Sequence, residues 1–166
     1  MIDTMTRYME GIKNLRWAWP MRKILIPLVD GMSTQMITTS GLVISAGGAT
    51  IAKTGGSTCY GVAGGVLFSI AAATAMPALT GINMSAGNFN VACFYVDNAG
   101  ALTVAGGTQA ATLGGVVWPQ PPQGKALIGF LIITYASAFT GGTTALDTAT
   151  TVYISPVGAL DPTALI

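Results

Sequence analysis

Histidine is absent from all 166 residues, and only seven basic and six acidic side chains are present. General acid–base catalysis near neutral pH recruits histidine, or carboxylates shifted by their neighbours. The carboxylates here are Asp3, Glu10, Asp30, Asp97, Asp147 and Asp161, scattered singly with no two within six residues. Serine and threonine are numerous, but with no histidine and no suitably placed lysine there is no visible base to activate one as a nucleophile. These absences point away from an enzyme.

Charge is scarce in general. Charged residues make up 8% of the chain and hydrophobic residues 51%, against a usual charged share of about 25%. A freely diffusing monomer with so few charges exposes neutral or apolar surface and tends to associate. The expectation is a protein whose surface is largely covered by other subunits. Net charge is only +1 and the basic residues form no dense patch, so nucleic-acid binding has little electrostatic support.

The two cysteines, Cys59 and Cys93, have neither CxxC spacing nor a histidine partner, which removes a zinc site. A disulfide between them is one reading. Two small buried hydrophobes in a reduced compartment is the other, favoured because each lies in an apolar segment. No GxxxxGK[ST] occurs and no GxGxxG joins a strand to a helix, so no nucleotide cofactor is expected. The isolated Lys53 and Lys125 read as solvated loop or edge residues, and Trp118 as a packing residue beside a proline run.

Mean hydropathy is +0.62, which raises a membrane reading. Residues 1–14 mix Asp3, Arg7, Glu10 and Lys13 with apolar residues, unlike a signal peptide. The segment from Tyr60 to Ile82 is uncharged and long enough to span a bilayer as a helix. Its Gly61, Gly64, Gly65, Gly81 and Pro77, and the lack of flanking basic residues, favour a buried strand run instead.

Two unlike parts follow one another. Residues 1–40 read as a short N-terminal helix and an extended arm. Met5, Tyr8, Met9 and Ile12 follow helical i, i+3, i+4, i+7 spacing, Asp3 can cap the helix, and Pro20 stops it after Trp17 and Trp19. That helix either anchors on a neighbouring molecule or folds back on its own domain. Residues 41–166 change texture to Gly, Ala, Thr and β-branched residues, with paired glycines between short apolar runs. This is the pattern of a mainly β, Gly-rich antiparallel sandwich or barrel.

Strands are expected at Leu42–Ala46, Val66–Ala71, Phe89–Val96, Ala101–Ala105, Leu127–Tyr135 and Thr150–Ile154. The clearest unit is Phe89–Val96, the turn Asp97-Asn98-Ala99-Gly100, and the strand after it. Leu127–Ile133 has no polar alternation, as expected of a strand covered on both faces by a second sheet, the helix or a neighbouring subunit. Trp118–Gly124 reads as a Pro-rich extended connector. Residues 40–56 and 99–115 share a glycine pattern that suggests one hairpin type used twice.

The segments Gly65–Thr74, Ser85-Ala-Gly-Asn-Phe89, Phe94–Gly100, Pro119–Pro122, Ile128-Gly-Phe130 and Phe139–Leu146 together resemble small structural proteins of tailed bacteriophages and prophages. The resemblance covers about residues 60–154 and leaves residues 1–40 outside it. It implies a virion component of the capsid decoration or cement type, made in the host cytoplasm. Its partners would be the major capsid protein and further copies of itself, with trimers at local threefold positions a natural geometry. A tail or receptor-binding fibre module, and a small membrane protein spanning at 60–82, are the alternatives.

On the arm reading, the anchor is Met5, Tyr8, Met9, Ile12, Trp17 and Trp19, because aromatic and Met side chains dominate interface energies. Replacing Trp17 and Trp19 together by Ala should weaken binding to the assembly by about 2 kcal/mol or more, measured by co-sedimentation with shells. The β circular-dichroism signal should persist. Its loss would place the two rings in the core of their own domain instead.

Overall fold

Residues 34–158 are described by the computed structural model. Among them, regular structure is strand with a single 3₁₀ turn at Leu113–Gly115. The strands are β1 Gln35–Met36, β2 Val43–Ile44, β3 Ala52–Lys53, β4 Cys59–Ala63, β5 Val66–Ile70 and β6 Asn83–Met84. They continue as β7 Phe89–Val96, β8 Leu102–Gly106, β9 Ala126–Thr134, β10 Phe139–Thr140 and β11 Thr150–Ile154. All pairings are antiparallel. They build sheets ordered β1-β4-β5, β11-β9-β7-β8, β2-β3 and β10-β6, and no barrel closes among the described residues. Mainly β architecture is thus what the glycine-punctuated apolar runs specify, in a sandwich-like form. The expected N-terminal helix, with Met5, Tyr8, Met9, Ile12, Trp17 and Trp19, lies outside the described residues.

β7 and β9 form the centre. Their side chains alternate between two apolar layers, as the period-2 geometry of strands requires. Ala92, Phe94, Val96, Ala126, Ile128, Leu131 and Ile133 face one layer, which the β1-β4-β5 sheet completes with Met36, Cys59, Ala63, Phe68 and Ile70. Val91, Cys93, Tyr95 and Phe130 face the other, where Val116 and Trp118 cover them. The two-sided burial read from Leu127–Ile133 therefore has a second sheet on one side. On the other side is the segment that leads into the Pro-rich connector.

One residue disturbs this alternation. Phe94 pairs with Gly129 and Tyr95 with Leu127, so Ile128 is an extra residue in β9. Such a bulge re-aims the strand while keeping both faces apolar. Its loose carbonyl is satisfied in the interior, where the buried Ser40 hydroxyl donates to the Ile128 carbonyl at 2.9 Å. Gly129 beside it lies where residues 39–42 cross the sheet. A Cβ there would sit 2.5 Å from the Ile154 carbonyl oxygen and 2.6 Å from Leu42 Cδ1. The crossing is tied down as Thr39 Oγ1 donates to the Ser155 carbonyl and the Leu42 N–H donates to Ser155 Oγ. Met36 and Ser40 are buried within this β unit.

The turn after β7 forms as its residues suggest. Asp97 Oδ1 accepts the N–H groups of Ala99 and Ala101 at 3.0 and 2.9 Å, and β8 returns along β7 from Val96↔Leu102 to Ala92↔Gly106. The segment Tyr60–Ile82 holds no helix. It contains most of the β4–β5 hairpin, turned at Gly64 and Gly65, which both have positive φ as a tight two-residue hairpin needs. The membrane-spanning helix at 60–82 is thereby excluded, and no helix among the described residues is long and apolar enough to cross a membrane.

The shared hairpin type is not found either. In residues 40–56, β2 pairs with β3. At the matching positions of 99–115, Leu102 and Thr103 pair with β7 instead, and Ala111 and Thr112 lie in bends. A free neighbouring edge on β7 decides the outcome, not the glycine pattern.

Gly129→Ala should destabilise the domain by about 1–3 kcal/mol, because the backbone of residue 154 cannot yield as a side chain would. Gly56→Ala, with no atom within 4 Å of the added carbon, should change stability by less than about 0.5 kcal/mol. Urea unfolding of the two variants checks the contrast.

Candidate functional site

Only four charged side chains lie within residues 34–158: Lys53, Asp97, Lys125 and Asp147. Three are engaged in holding loops. Asp97 caps the β7–β8 turn. Asp147 Oδ2 accepts the Gly48 N–H at 2.7 Å and so fixes the β2–β3 loop. Lys125 donates to Thr103 Oγ1 at 3.4 Å, so it is tied to the rim of the central sheet more than a solvated lysine would be. Lys53 is half-buried on β3. No group of three His, Cys, Asp or Glu side chains among the described residues could hold a metal.

The cysteines are free and buried, in opposite apolar layers of the sandwich. Burial pushes the Cys93 thiol up to about 12, against a smaller opposing effect of its hydrogen bond with Tyr95. Burial also raises the Cys59 thiol. Thiols held protonated in this way are poor nucleophiles, so they act as small hydrophobes. Burial raises the Tyr153 phenol as well, helped by the negative charge of Asp147. Trp118 packs edge-on against Phe130, with ring centroids 5.0 Å apart. It is a core residue and not a stacking platform for a ligand.

A pocket of about 430 Å³ is lined by residues that include Thr80, Asn83, Asn90, Thr108 and Gln109. The side-chain oxygens of its three amides already accept backbone or side-chain N–H groups. Asn90 Oδ1 accepts the Val91 N–H, and Asn83 Oδ1 accepts that of Gly141. Gln109 Oε1 accepts from the Ser85 N–H and from Asn88 Nδ2. The lining contains neither an aromatic ring nor a charged group.

The other surface feature is an apolar sheet face. In β1-β4-β5 the inward residues are Cys59, Gly61, Ala63, Phe68 and Ile70. Alternation and register place Gln35, Tyr60, Val62, Leu67 and Ser69 outward together. Ile37, next to Tyr60 through its N–H bond to the Tyr60 carbonyl, is 49% exposed, Tyr60 46% and Leu67 67%. Composition predicted a sticky neutral surface. It could not say that Leu67 faces out while Phe68 faces in, because the run Val66–Ile70 is apolar except for Ser69.

The chain matches no protein-family model, no curated protein and no solved structure.

The thiols give a direct check of this interior. Both should be inert to a disulfide reagent in the native protein at pH 8 and react fully once it is unfolded. The folded state keeps Cys93 protonated up to about 12, whereas an unfolded thiol ionises above its ordinary value of 9.0. The stabilisation from the buried thiol is therefore complete below about pH 9 and is lost as pH rises towards 12. Cys93→Ala should flatten the fall in stability over that alkaline range, measured by denaturant titration at successive pH values.

Proposed function

We propose that the protein is a non-enzymatic virion structural component, a capsid decoration or cement protein that binds the major capsid protein lattice and stabilises the head. The observation that carries this reading is the combination of a self-supporting β scaffold with an almost uncharged surface. Four charges serve 125 described residues, yet Ile37, Tyr60, Leu67, Val117, Val152 and Val157 stand exposed. A protein that spends its life covered by neighbours tolerates such a surface, and one that diffuses alone is selected against it. Binding across capsomer seams needs buried area and rigidity, and it stabilises the shell by mass action without any reactive group.

A tail or fibre module that grips a host receptor is the second reading, and the pocket at Asn83, Asn90 and Gln109 is its best support. Sugar recognition would gain from a ring to stack on and from free amide oxygens, and this pocket lacks the ring while its amide oxygens are engaged.

Quantitative mass spectrometry of purified particles separates these readings. A decoration protein should stand to the major capsid protein in a near one-to-one ratio or a simple fraction of it. A handful of copies per particle would move the protein to the tail, and absence from particles would remove the structural reading.

A further inference from the structure

We propose that β5 is the contact through which two copies of this chain pair, antiparallel about a two-fold axis at Phe68, fusing their β1-β4-β5 sheets into one sheet of six strands. The proposal rests on the structural reading above and names the surface by which the protein meets itself.

The backbone supplies the first argument. Among the described residues, β5 is the outermost strand of its sheet. A two-residue turn makes Ala63 and Val66 a hydrogen-bonded pair, and such pairs alternate with non-bonded ones along the hairpin. Gly61↔Phe68 and Cys59↔Ile70 are then bonded pairs, while Val62↔Leu67 and Tyr60↔Ser69 are not. The N–H and C=O groups of Leu67 and Ser69 consequently point away from β4, to the edge that no described strand covers. With the axis at Phe68, Leu67 of one copy stands opposite the partner's Ser69, and each pair exchanges two bonds. Four main-chain hydrogen bonds form without any group left over between them.

The side chains supply the second. Soluble proteins blunt their sheet edges with lysine, proline or a bulge. β5 reads Val-Leu-Phe-Ser-Ile, and its five pairs with β4 run without a register break. On a two-fold axis every side chain meets its own copy or a near neighbour of it, so a charge would confront a like charge. β1, β4 and β5 contain no charged residue. That neutrality suits a second copy of the same chain and offers a charged foreign partner nothing to complement. The outward Tyr60, Val62 and Leu67 would then continue as one apolar strip across the pair.

Sedimentation equilibrium on the full chain across the micromolar range tests the contact. The wild-type mass should be twice 16.9 kDa. Leu67→Lys adds a charge at an exposed side chain, and Ser69→Pro removes an N–H that its own sheet does not use. Each should weaken pairing at least tenfold while leaving the circular-dichroism spectrum unchanged. Leu67→Lys carries the test alone should the proline variant fail to fold.

A cross-link adds a positional readout. An opposed bonded pair places its Cα atoms about 5.5 Å apart, within disulfide reach. A mixture of Leu67→Cys and Ser69→Cys proteins should therefore form a linked dimer on oxidation, and Leu67→Cys alone should not. The native cysteines are buried and will not compete. A dimer that survives Leu67→Lys undiminished would move the contact to another face and overturn this proposal, leaving the structural reading intact. A monomeric wild type that still decorates shells would do the same. A monomer that also fails to bind shells would remove both.

Discussion

Two-sided burial of the β7–β9 pair is the constraint on which the rest of the structure depends. A strand pair that is apolar on both faces cannot rest against water on either. Fully burying a side chain the size of Leu or Phe is worth about 1.5–3 kcal/mol, and this pair buries Phe94, Tyr95, Phe130, Leu131 and Ile133 together. Each face therefore demands a cover from elsewhere in the chain. The β1-β4-β5 sheet supplies one and the segment around Val116 and Trp118 supplies the other. The bulge at Ile128 and the bare backbone at Gly129 are what let the first cover cross the sheet at close range.

This hierarchy explains what could be read from residues alone. Phe89–Val96 and the long apolar run of β9 announce themselves through β-branched and aromatic content, and Asp97-Asn98-Ala99-Gly100 announces its turn through a carboxylate that caps two N–H groups. The short strands β1, β3, β6 and β10 do not, because each has two residues and exists only through its tertiary partner. β4 is hidden for a different reason. A glycine in its middle looks like a break, but the Phe68 ring occupies the space where a Cβ at Gly61 would be. The exposed sheet face was foreseeable as a quantity of neutral surface and not as a place. Which of two adjacent apolar residues looks outward is set by pairing register, which local sequence does not encode.

The same economy governs the polar groups. Within residues 34–158, three of the four charges lie where a loop needs an anchor: Asp97 at one hairpin, Asp147 against Gly48, Lys125 on Thr103. Side-chain hydroxyls do the remaining work, as with Ser40 on the Ile128 carbonyl and Thr54, whose Oγ1 donates to the Ala71 carbonyl and accepts the Thr74 N–H. These bonds tie loops to sheets without carrying charge to the surface. The outcome is a block whose outside is defined by shape and apolar area, the kind of surface the proposed role in a shell would use.

The near absence of charge has a consequence for what can regulate such contacts. Association through charged pairs is tuned by ionic strength and, where histidine takes part, by mild acid. Across residues 34–158 there is no histidine and no arginine or glutamate, so neither control has much to act upon. Apolar contact responds to temperature instead, weakening on cooling as its entropic driving force fades. Particles held by faces of this kind would keep their cohesion across wide changes of salt and acidity, and chilling would be the condition that loosens them.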